Sequence, residues 1–158
     1  MKNMTKKERS HKKIKQSYVE NVRGNSKKKS NSVAVLLVNF DQNLNNDQSY
    51  VVHFSDGRIY NGEFHANQEG NVITFLNQGI YKFDIIGEIL DSNLTPATLK
   101  IESFPKELDM LTEYEFNQNL NFSTVLEVES NQRINLRIIK SEVDYVIRKG
   151  FRMIITEI

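Results

Sequence analysis

The sequence predicts an α+β fold: mainly an antiparallel β sheet or partly open barrel with one short helix, behind a basic arm that is flexible or helical. Three observations carry this. Short runs of β-branched and aromatic residues recur with turn-forming residues between them. One stretch, residues 105–116, changes to a spacing of three. Charge is also divided: residues 1–30 hold eleven Lys/Arg against two acidic residues, a net +9, whereas the remaining 128 hold ten Lys/Arg against eighteen Asp/Glu, a net −8. The 158 residues thus separate into a basic arm and linker, 1–32, and a β-rich globular domain, 33–158, long enough to close a core.

Taken in order, residues 1–23 can form a basic helix, since Ile14, Tyr18 and Val22 fall at i, i+4 and i+8. So narrow a stripe does not hold a helix in water, and folding on a partner is expected. The segment 24–32 reads as a polar linker. VAVLLVNF (33–40) is a continuous apolar run, expected for a strand covered on both faces, and a polar loop follows over 41–49. Asp56-Gly57 between YVVHF and RIYNGEF predicts a two-residue hairpin pairing Phe54 with Ile59 and His53 with Tyr60. Residues 72–76, 80–86 and 98–104 supply further strands. Pro105 opens the expected helix, with Leu108, Leu111 and Tyr114 on one side.

Two more hairpins are expected toward the end. A loop at 130–132 would set Val128 opposite Ile134 and Leu126 opposite Leu136, with Glu129 facing Arg133 outside. A turn at Arg148-Lys149-Gly150 would pair Ile147 with Phe151 and Tyr145 with Met153.

The function classes narrow by chemistry. The absence of Cys removes disulfides and thiolate chemistry and, with no apolar leader or membrane span in view, points to a cytoplasmic protein. His53 and His65, with Asp56 and Glu63 nearby, make a His/His/carboxylate metal site conceivable; the simpler reading packs His53 against Tyr60 and leaves His65 at a loop end. No metal, cofactor or catalytic site is therefore assigned, and no phosphate-cradling glycine loop or nucleophile motif is present. The expectation is a non-enzyme.

Binding is the expected work. In the arm, Lys6, Lys7, Arg9, Lys12, Lys13, Lys15, Lys27, Lys28 and Lys29 suit the nucleic-acid backbone. Lys outnumbers Arg nine to two there, which favours electrostatic tethering over base readout. In the body, Glu107, Asp109, Glu113 and Glu115 form an acidic segment that fits a basic partner surface, or else a solvated face. The cations Arg133, Arg137, Lys140, Arg148, Lys149 and Arg152 read as mostly outward, a second phosphate-contacting face or an ordinary charged sheet.

A Lys/Arg arm ahead of a small, acidic, Cys-free body resembles small type II anti-CRISPR proteins from mobile elements of low-GC Gram-positive bacteria. The run Arg148-Lys149-Gly150-Phe151-Arg152 is similar to a Lys-Gly-Phe-Lys ending in that family. The resemblance implies a Cas9 inhibitor that binds the Cas9–guide RNA complex and blocks target DNA binding or cleavage. The alternative is a nucleic-acid-binding accessory of a phage or plasmid, and a third is a structural or assembly protein.

Overall fold

The computed structural model describes residues 33–45, 49–60, 63–91, 95–105, 113–140 and 144–158, all within the unit Asn31–Ile158. Among these residues every regular element is a strand: β1 (Val33–Leu37), β2 (Gln42–Asn45), β3 (Ser49–Val51), β4 (Asp56–Tyr60), β5 (Phe64–Ala66), β6 (Ile73–Phe75), β7 (Gly79–Leu90), β8 (Ala97–Phe104), β9 (Glu113–Phe116), β10 (Asn119–Val128), β11 (Arg133–Lys140), β12 (Asp144–Ile147) and β13 (Arg152–Glu157).

They form two antiparallel sheets. The first runs β10–β7–β13–β1–β4, with β12 also pairing β7 and β2 pairing β12. The second runs β5–β6–β11–β8–β9, with β3 also pairing β11. Inward residues alternate along each strand: Tyr81, Phe83, Ile85 and Ile89 on β7, Leu120, Phe122, Leu126 and Val128 on β10, and Ile134, Leu136 and Ile138 on β11 are all buried. Each such Val, Leu, Ile or Phe contributes about 1.5–3 kcal/mol by leaving water. Phe64, Phe75 and Tyr81 meet edge-on, with centroids 4.8–5.6 Å apart, closing one part of the core.

The α+β expectation is corrected to all-β, in two separate sheets instead of a partly open barrel. Residues 113–116 of the expected helix are strand β9, paired with β8 so that Thr98 faces Glu115 and Leu99 faces Tyr114. Residues 106–112 of that helix lie outside the described residues. Tyr114 stacks on Phe122 of β10 at 4.8 Å, a contact that a β conformation delivers. A spacing of three over so few residues did not separate helix from strand.

All three hairpins are corrected as well. Asp56 and Gly57 lie inside β4, opposite Leu37 and Leu36 of β1, while β3 belongs to the other sheet. Gly57 is there for close approach: a Cβ would stand 2.8 Å from Leu36 Cδ2. Strands β10 and β11 part company at the 129–132 corner, β10 to β7 and β11 to β8. Asn131 takes a positive φ of 63° there, and its N–H donates to the Phe75 carbonyl at 2.7 Å.

Nor do β12 and β13 fold back on each other. They run on as one bulged ribbon, in which residues 148–151 stand opposite Gly87 and Glu88 of β7. The segment 38–41 follows the bulge on its other side: Gly150 N–H donates to the Val38 carbonyl at 2.8 Å, and Lys149 N–H donates to Asp41 Oδ1 at 2.7 Å. Finally, the 33–37 strand is not buried on both faces. Ala34 and Leu36 face inward, whereas Val33, Val35 and Leu37 are half-buried on the outside.

Candidate interaction surfaces

Strand alternation presents two outward faces. On the first sheet, cross-strand rows read Leu37–Arg152–Ile86–Asn121, then Val35–Ile154–Asp84–Ser123, then Val33–Thr156–Lys82–Val125. Val33, Val35, Leu37, Ile154 and Ile86 therefore make one apolar stripe, half-buried by its own neighbours. Ile80, Val125 and Ile158 extend it with exposures of 52%, 39% and 67%. Beside it, Asp84 accepts from Ser123 Oγ at 2.6 Å and pairs with Lys82 at 3.1 Å. Partial burial raises the Asp84 carboxyl, but the Ser123 hydroxyl and Lys82 ammonium outweigh it and hold the group below its ordinary range.

The second face is more polar. Arg137 Nε donates to Glu102 Oε1 at 2.9 Å and its Nη1 to Ser49 Oγ at 2.8 Å. At the β5–β6 edge the direct row His65–Thr74–Arg133 borders a cleft of about 340 Å³, completed by Asn67, Val72 and Leu76. Its loop wall is tightly tied. Asn67 Oδ1 accepts from the Asn71 and Val72 N–H groups at 2.9 and 3.0 Å, and Gly70 turns at φ 69° against the Phe54 carbonyl.

At one end of the sandwich a charge lies inside. Lys140 Nζ sits 2.7 Å from Asp91 Oδ2, with side-chain exposures of 0% and 5%, and donates also to the Thr95 carbonyl at 2.7 Å. Thr95 returns the contact through its hydroxyl, 2.7 Å from Asp91 Oδ2.

The expected site residues fare unequally. The nine arm cations, Lys6 to Lys29, together with Glu107 and Asp109, lie outside the described residues. Glu113 and Glu115 are exposed on β9, and Glu113 pairs with Lys100 at 3.2 Å. Lys140, read as outward, is corrected to buried. His53 does not pack as expected from a hairpin; its ring stands 5.6 Å from that of Tyr50. Among the described residues no group of three or more His, Asp or Glu is arranged to hold a metal. Reading along the chain missed the cleft, because His65, Thr74 and Arg133 come from three strands. Their outward alternation was the one available signal.

Two twisted antiparallel sheets whose successive strands cross between them define a jelly-roll sandwich. Solved structures that it resembles include TNF-like proteins. Murine APRIL at pH 5.0 superposes with a TM-score of 0.63 at 11% identity, covering 82% of this chain and 100% of that one. Murine APRIL at pH 8.0 gives 0.62 at 12%, over 81% and 98%. Eiger TNF from S. frugiperda gives 0.52 at 9%, over 80% and 91%. At such identities the likeness is one of fold. These neighbours are TNF-family ligands and not enzymes. No family model and no curated protein matches the chain.

The Cas9-inhibitor expectation and its nucleic-acid-accessory alternative are corrected by this TNF-like architecture. The segment that carried the local echo has a structural task. Phe151 is fully buried, Gly150 adopts φ 95°, and Arg148 lies 3.5 Å from Asp41, so 148–152 shapes the bulge in a sandwich strand.

Proposed function

We propose that the body is a non-enzymatic binding protein that works as a self-associated TNF-like jelly roll, copies meeting through the outward face of β10–β7–β13–β1. The apolar stripe Val33, Val35, Leu37, Ile86 and Ile154, extended by Ile80, Val125 and Ile158, is the observation that carries this reading. Charges of both signs stand in and beside it: Arg152 between Leu37 and Ile86, Lys82 and Asp84 between β13 and β10, Asp56 and Arg58 on β4, and Glu127 on β10. A second copy can therefore match opposite charges as well as apolar surface. The non-enzymatic character of the TNF-family neighbours supports the same reading.

Sedimentation equilibrium tests it. The expected mass is a whole multiple of 18.4 kDa. Ile154→Lys, and independently Val125→Lys at a site 39% exposed, should return the chain to monomer with an unchanged far-UV spectrum. A native chain that stays monomeric at its highest soluble concentration refutes the proposal.

A further inference from the structure

The cleft on the second sheet belongs to neither the stripe nor the core. Its cross-strand row places His65, Thr74 and Arg133 side by side on one face. Side chains directly opposite in such rows stand about 4.5–5.5 Å apart at Cβ, so three polar groups converge on a small volume. No carboxylate among the described residues pairs with Arg133. Glu63, in the neighbouring row opposite Leu76, makes no ion pair with it or with His65, and Glu69 is engaged with Asn71 at 3.2 Å. Val72 and Leu76 supply an apolar wall, and Leu76 is 43% exposed although it closes a strand of the sandwich.

We propose that this cleft binds an amphiphilic carboxylate. The planar guanidinium of Arg133 takes the carboxylate through two N–H groups, and the Thr74 hydroxyl and an imidazole N–H of His65 add donors. The apolar part of the ligand lies against Val72 and Leu76. One Arg fork matches a carboxylate better than a phosphate dianion, which calls for more positive charge. The loop wall, tied through Asn67 and Gly70, is already formed, so little ordering opposes binding. A small acid and a peptide carboxyl terminus share this chemistry.

Amide chemical-shift titration of the full chain tests the assignment with four probes: N-acetyl-leucine, N-acetyl-leucinamide, inorganic phosphate, and a short peptide ending in a free Leu carboxylate. N-acetyl-leucine is expected to move amides of 63–67, 72–76 and 133–135, whereas the amide form moves none. Arg133→Gln, an exposed change that should leave the remaining spectrum superimposable, weakens binding at least about tenfold, the loss of a charge-assisted pair. Tighter binding of the peptide assigns a chain terminus as ligand, and equal binding assigns the small acid. Equal binding of the amide form, preference for phosphate, unchanged affinity in Arg133→Gln, or no response at millimolar ligand overturns the proposal.

Discussion

Gly87→Ala isolates one packing decision with a change of sign. Gly87 faces inward on β7 beneath the bulge, and a Cβ there would lie 2.2 Å from Phe151 Cδ2, 2.7 Å from Cγ and 2.9 Å from Cε2. Ordinary carbon contacts need about 3.5–4.0 Å, so the ring must retreat by more than about 1 Å. It has nowhere to go, being fully buried between the sheets. Overpacking of this kind costs about 1–3 kcal/mol, and the direct ring contact argues for the upper half. Without a clash the same change would stabilise a strand by about 0.5–1 kcal/mol, because Gly loses more backbone entropy on folding. The clash predicts net destabilisation of about 1–2 kcal/mol, lowering Tm by roughly 3–10 °C for a domain of this size.

Urea denaturation followed by far-UV circular dichroism is the assay, since the chain has no Trp. Phe151→Leu in the Gly87→Ala background should recover part of the loss, although alone it opens a cavity. If Gly87→Ala is neutral or stabilising, the close approach of β7 to the bulge is wrong, and with it the continuity of β12 and β13.

Three further outcomes follow from the same structure. Lys140→Met should cost about 3–5 kcal/mol because it leaves the buried Asp91 carboxylate, still hydrogen-bonded by Thr95, without its cation, and Asp91→Leu/Lys140→Met should be more stable than Lys140→Met alone; a denaturant series on the native chain and the two variants checks both. Burial, then the nearby charges of Glu157 and Glu63, push the Tyr81 phenol up to about 12. Absorbance at alkaline pH should show it ionising after ordinary tyrosines, a late step that Tyr81→Phe abolishes. Because that pKa is raised on folding, its contribution is intact below the ordinary phenol range and lost as pH climbs through about 12. Asp84 has the opposite sign: its carboxyl is held low on folding, so its contribution is present above the ordinary carboxylate range and is lost below it, as pH falls on through the lowered folded-state value. Asp84→Asn should flatten that part of the acid limb in a stability-versus-pH series.

Inside and outside were legible one strand at a time. Alternation puts Leu126, Val128, Ile134 and Leu136 on one side, and all four are buried. Their partners were not legible, because alternation is satisfied equally by a neighbour in the same sheet and by a facing residue in the opposite one. Hence Asp-Gly at 56–57 and Arg-Lys-Gly at 148–150, both reasonable turn chemistry, proved to be close-approach and bulge positions. The cleft residues are visible singly in the sequence, His65 as a conceivable metal ligand and Arg133 as part of a cationic face. Only cross-strand register brings them together.

By itself, then, the amino-acid order determined that strand-forming runs dominate residues 33–158, most of the inward residues on those strands, and the opposed charges of residues 1–30 and the remainder. These are local properties, set by side-chain period and composition. Which strands pair, where the chain crosses between sheets, the burial of Lys140 against Asp91, and the surfaces offered to partners were decided by the tertiary structure. Those depend on contacts between residues far apart in sequence, whose energies appear only when both sheets close on a common core.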